Sequence, residues 1–276
     1  MKLAFIDIGE LGWSMYLAAH IRWQKKNTDN KIAVMTYPDR RCLYEDLADM
    51  VMEVPAAFYN KFDIKRQNCL GIKEVAPNIL KDFLFPYLAD DYHMPDDFVL
   101  SCKNSFKGHF DFVPYKYSKK LVGKEEVLIF PRQRHGGWYK NRNLKESFYI
   151  ELIKQLCDEF LDLNIRTIGT TLGAYNIILD KPNYINYVGK GDGLQDMIDR
   201  CQLAVAAVGG QSAPPKISLL QGVPTFIIGH EKERHVNKEN WMNTKTGFYE
   251  IVASSYDKAD TTGCIAKIIS FIKEIR

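Results

Sequence analysis

The sequence predicts an α/β protein of two doubly wound, parallel-sheet domains facing across a cleft. Three observations predict it. Residues 2–8 and 31–37 read as buried strands around a helical repeat, and strand–helix–strand order implies a parallel pair. From residue 127 onward, short unbroken apolar runs alternate with amphipathic stretches, the rhythm of a second parallel sheet. The length of 276 residues also leaves room for two domains, since one core usually serves ~100–200 residues. The expected domains are residues 1–120 and 121–276, divided within the Lys/Gly-rich stretch 117–126.

In the first domain, residues 2–8 form the opening strand, with Asp7 buried in it or at its end. Gly9, Glu10, Leu11 and Gly12 make a tight turn. Residues 13–24 then carry Met15, Leu17, Ala18 and Ile21 at helical spacing. The strand 31–37 is closed by Pro38 and Asp39. Residues 50–54 and 98–101 read as short strands, and no period can be assigned between them.

In the second domain, strand 127–130 runs into Pro131. The clearest helix, 144–160, presents Phe148, Ile150, Leu152, Ile153, Leu156 and Phe160 as one stripe. Strands follow at 165–169 and 184–187. Asp192 and Gln195 have the spacing of a capping box. Strand 203–208, a helix opened by Ser212, strand 223–228 and an amphipathic helix at 264–275 complete the order.

The formal charge of +3 argues against a nucleic-acid-coating protein while allowing a local basic pocket. Asp7 interrupts the first apolar run, which is too short for a signal-peptide core, and no stretch reaches the length of a membrane span. The six cysteines, Cys42, Cys69, Cys102, Cys157, Cys201 and Cys264, are scattered, which fits reduced thiols in the cytoplasm. No metal site is expected: His230 and His235 are the nearest histidine pair, in a charged loop.

In parallel α/β sheets, ligands sit beyond the carboxyl ends of the strands, so the loops there are the candidate sites. The loop after strand 127–130 holds Arg132, Arg134, Lys140 and Arg142 with two glycines. Guanidinium forks match phosphate oxygens, so the loop reads as an anion site or as a solvated basic loop. After strand 203–208 come Gly209, Gly210, Ser212, Pro214, Pro215 and Lys216. Glycines let a ligand approach the backbone, but the prolines offer no N–H, and an ordinary capped helix start has the same sequence. Residues 189–194 are a glycine-rich turn without P-loop spacing. In the loop after strand 223–228, Glu231 and Glu233 either accept ribose hydroxyls or are simply solvated. At residues 9–12 the dinucleotide fingerprint is incomplete. Glu10 stands at a strand's carboxyl end, where a general base could act.

The order of residues 127–230 resembles the nucleotide-sugar domain of GT-B glycosyltransferases, and most of all the heptosyltransferase-like family 9. The resemblance rests on the basic loop and following helix, on the stretch from Gly189 to Cys201, on Gly210-Gln211-Ser212-Ala213-Pro214-Pro215-Lys216, and on Gly222-Val223-Pro224-Thr225 with Gly229. It implies two Rossmann-like domains and a metal-independent transferase with no cofactor, whose substrate is a nucleotide sugar. Arg132, Arg134 and Lys216 would neutralise the leaving diphosphate, and Ser212 with the Gly209 and Gly210 backbone would position a phosphate. A glycan or lipid-linked glycan would accept the sugar, which is compatible with peripheral membrane contact, and no nucleic-acid partner is expected. This chain departs from the family pattern at Gln211 (usually Asp), Ala213 (Gly), Lys216 (His) and Trp13, where the family carries its base. Glu10 is the nearest substitute. A nucleotide-sugar 2-epimerase and a non-catalytic two-domain anion-binding protein are the competing expectations.

Overall fold

The computed structural model describes residues 1–7, 11–54, 92, 109–135, 141–191, 193–230 and 243–276. They divide into two units, Met1–Phe112 and Val113–Arg276.

In the first unit, β1 (Lys2–Asp7), α1 (Leu11–Asn27), β2 (Lys31–Thr36) and β3 (Met50–Glu53) form a parallel sheet in the order β1-β2-β3. α1 buries Met15, Leu17, Ala18 and Ile21 against it. Leu11 and Gly12 belong to this helix, not to the expected turn; around Gly12 there is open space. Expected strand 98–101 lies outside the described residues.

Asp7 is buried at the end of β1, in register with Thr36 at the end of β2. Its carboxylate accepts bonds from Ser14 (2.9 Å), Thr36 (3.0 Å) and Tyr44 (2.8 Å), and Arg40 lies 3.5 Å away. All five side chains are buried. A buried carboxylate supplied this fully is a fastening, not a base. Residues 109–112 cross α1: Asp111 N–H donates to the Ala19 carbonyl at 3.0 Å, and His109 stacks on Trp23 with centroids 4.2 Å apart.

The second unit holds a six-stranded sheet, every pair parallel: β4 (Glu126–Phe130), β5 (Asn164–Gly169), β6 (Tyr184–Val188), β7 (Ala204–Gly210), β8 (Thr225–Gly229) and β9 (Thr246–Glu250). Its spatial order is β6-β5-β4-β7-β8-β9. The helices are α2 (Glu146–Glu159), α3 (Leu194–Arg200), α4 (Ala213–Leu220) and α5 (Cys264–Ile275).

Two expectations are corrected here. The core stripe of α2 contains Tyr149, fully buried, while Ile150 is only partly buried at its edge. Asp192, of the expected capping box, lies outside the described residues. Gly193, at φ 71°, caps α3, and the Gln195 amide reaches the Lys116 carbonyl and Asp199. Strand β9 was not expected; its Gly247 is required because a Cβ there would lie 2.3 Å from the Phe226 ring.

The two units divide between residues 112 and 113. Gln221 accepts from Tyr115 N–H at 2.6 Å and donates to its carbonyl at 3.0 Å, while Asp199 accepts Ser118 N–H at 2.7 Å. Both acceptors sit at helix ends that lead into β7 and β8, so residues 115–118 run along the sheet's amino edge.

Candidate functional site

Counted from β4, the first strand of its sheet, the strand order runs 3-2-1-4-5-6, so the chain winds outward in opposite directions from β4 and β7. Ligands bind at such a switch point. Phe130 and Gly209 are register partners at the carboxyl ends of these two strands. The cationic loop and the glycine-serine turn therefore leave the sheet side by side.

The cationic loop is pinned on both flanks. Pro131 carbonyl accepts Tyr175 N–H at 2.8 Å, and Gln133 N–H donates to the Gly173 carbonyl at 2.9 Å, fastening the loop to the one that follows β5. At its far end Asn143 reaches back. Its Oδ1 accepts from the Arg132 guanidinium at 2.5 Å and from Arg134 N–H at 3.0 Å, while its Nδ2 donates to the Arg134 carbonyl at 2.8 Å. One amide thus ties the Arg132 guanidinium to the Arg134 backbone. Arg132 is buried and Arg134 half-buried; Lys140 lies outside the described residues.

On β7, a Cβ on Gly209 would lie 2.7 Å from Pro215 Cγ and 3.1 Å from Phe130 Cβ, so no side chain fits there. Gly210 meets only ordinary contacts. Ser212 occupies the N-cap of α4, yet its hydroxyl donates back to the Gly210 carbonyl at 3.1 Å and caps nothing. Lys216, half-buried, is in the first turn of α4.

The structure thus puts Arg132, Arg134, Gly209, Gly210, Ser212 and Lys216 on segments that leave two paired strand ends. Glu10, Glu231 and Glu233 lie outside the described residues, as does His235.

Sequence reasoning missed four neighbours. Asn143 was visible only as part of the basic loop. Tyr149 was hidden by the Ile150 assignment. Gln211 Oε1 accepts from the buried Tyr256 hydroxyl at 2.7 Å, and that same hydroxyl accepts His230 N–H at 3.1 Å. His230 spends its Nδ1–H on the Ile251 carbonyl at 2.5 Å. Only the folding of residues 251–256 over β8 brings these together, and no local signal marks it.

Thiol chemistry has no support among the described cysteines of this unit. Burial pushes the Cys157 thiol up to about 11 and the Cys201 and Cys264 thiols to about 12, so all three stay protonated at neutral pH.

A parallel sheet with guanidinium and glycine-serine segments at its switch point has the architecture of nucleotide-binding α/β proteins. No family model matches the sequence, and none of the curated proteins does. Solved structures match the fold. ADP-heptose LPS heptosyltransferase II of E. coli is 14% identical with a TM-score of 0.60, covering 99% of each chain. E. coli heptosyltransferase WaaC, solved with ADP-2-deoxy-2-fluoro heptose, is 10% identical with a TM-score of 0.57, covering 100% of each. The glycosyl transferase family 9 structure from Veillonella parvula is 11% identical with a TM-score of 0.54, covering 90% of this chain and 85% of that one. The chain has the fold of these heptosyltransferase-like enzymes.

Proposed function

We propose that the protein is a GT-B-type glycosyltransferase that moves a sugar from a nucleotide-diphosphate donor to a hydroxyl of a glycan or lipid-linked glycan acceptor. One observation carries the reading: the guanidinium loop and the glycine-serine turn leave paired strand ends at Phe130 and Gly209. Donors of the ADP-heptose type suit it, since the fold neighbour above was solved with such an analogue.

The chemistry follows from charge. The acceptor oxygen attacks the anomeric carbon, and the bond from that carbon to the phosphate oxygen breaks. The nucleoside diphosphate leaves with the electron pair. Arg132, Arg134 and Lys216 stabilise the charge that develops on it, a task fixed cations perform well in a dry site; the reading is metal-independent for that reason. The acceptor proton passes to a carboxylate, for which we propose Glu10. Asp7 is unsuited because its oxygens are engaged by Ser14, Thr36, Tyr44 and Arg40. Glu231 and Glu233 are proposed for the ribose hydroxyls. Among the described residues no helix is long and apolar enough to cross a membrane; a cytoplasmic place is part of the proposal.

The test is thermal denaturation with ADP, UDP, GDP and CDP in the presence of EDTA. At least one nucleotide should raise the Tm, and Arg132→Ala combined with Arg134→Ala should abolish the shift. A wild-type protein stabilised by none of them overturns the reading. Donor conversion without an acceptor would assign an epimerase instead.

A further inference from the structure

We propose that the Tyr149 hydroxyl is a further diphosphate-binding donor, satisfied only when the site is filled; this rests on the nucleotide reading above. Tyr149 lies in the first turn of α2, the helix that follows the cationic loop. Its side chain is completely buried, and its hydroxyl makes no hydrogen bond of ordinary geometry. The Arg132 backbone amide acts on the hydroxyl, but its N–H is already given to the Phe130 carbonyl at 2.9 Å. Burial pushes the phenol well above its ordinary range, with the Arg132 charge pulling the other way, so the group is a neutral O–H donor at every physiological pH.

An unpaired hydroxyl in a protein interior is destabilising, and a phenylalanine would avoid that cost. Its location supplies a reason. The hydroxyl lies 3.8 Å from where a Cβ on Gly210 would stand, and the Arg142 carbonyl is 4.0 Å from the same point. The group therefore stands at the end of β7, behind the arginine loop and beside the glycine that has no side chain to cover it. The Arg132 charge acts on the same hydroxyl, and a guanidinium paired with a phenol O–H suits a phosphate oxygen. The hydroxyl resembles an oxyanion-type donor that is already oriented before the ligand arrives.

The experiment uses Tyr149→Phe, which deletes one oxygen. Calorimetric titration with the nucleoside diphosphate that stabilises the wild type, with its parent nucleoside as control, should show a five- to twentyfold loss for the diphosphate and none for the nucleoside. The Tm of the ligand-free variant should equal or exceed that of the wild type. Unchanged diphosphate affinity overturns the proposal, as does an equal loss for nucleoside and diphosphate. If the variant is unstable, the hydroxyl is structural and the proposal also falls. A wild type that binds no nucleotide brings down the functional reading itself, an outcome separate from these.

Discussion

Asn143 grips both polar ends of the Arg134 residue, donating to its carbonyl at 2.8 Å and accepting from its N–H at 3.0 Å. The same oxygen takes the Arg132 guanidinium. The Arg132 guanidinium and the Arg134 backbone are thus held together before any ligand binds, and preorganisation of this kind raises affinity by lowering the ordering cost of binding.

Asn143→Ala should weaken nucleoside diphosphate binding roughly tenfold and cost about 1–2 kcal/mol of stability, as read by calorimetric titration and denaturant unfolding. Asn143→Asp keeps the acceptor but loses the bond to the Arg134 carbonyl and adds a negative charge beside the anion. Binding in that variant should fall further than in Asn143→Ala. Equal affinity in both would show that the loop holds its shape without the amide.

Arg40→Met should destabilise the first unit by about 3–5 kcal/mol, because removing one partner of a buried ion pair leaves the other charge uncompensated. Asp7 and Arg40 are both buried. Arg40→Lys, which keeps the charge, should lose less than Arg40→Met. Urea unfolding of the three proteins checks this, and an Arg40→Lys variant as unstable as Arg40→Met would contradict it.

Asp49 gives a pH signature. Burial pushes its carboxyl up, but the Lys25 hydrogen bond, the Ile32 N–H and the charges of Lys25 and Lys31 outweigh this and hold it below its ordinary value of 3.8. A carboxyl lowered by folding stabilises above its unfolded pKa and loses that contribution as pH falls through its folded one. Asp49→Asn should therefore be less stable than wild type at pH 6. The difference should shrink steadily below pH 4, as followed by thermal melts across that range. A difference that stays constant down to pH 2 would contradict the assignment.

Much of the fold was legible because its periods are strong. The last helix begins and ends where the spacing put it, at Cys264–Ile275, since its apolar stripe has no competing pattern. Strands β4 and β7 were legible as runs of small and apolar residues, as expected where both faces are covered. Strand β9 was missed because it is a half-exposed edge strand with an internal glycine, which together blur both the apolar run and the alternation. At the site, the cations and glycines could be read because their chemistry is local. Asn143 and Tyr149 could not, because an amide becomes a clamp and a phenol becomes an orphan only through what surrounds them. The same holds for Gln211 and Tyr256, which are far apart in the chain and 2.7 Å apart in space.

The side-chain stitching of residues 115–118 has a practical meaning for dissecting the protein. Ser118 supplies two of the three described hydrogen bonds to Asp199, a fully enclosed carboxylate, and Gln195 supplies the third. An excised carboxyl-terminal fragment that starts at residue 113 takes its own fasteners with it. One trimmed to residue 121 would leave Asp199, at the base of α3, with Gln195 alone of these donors and would strip Gln221 of its Tyr115 bonds, so eight residues separate a fragment that keeps these fasteners from one that loses them.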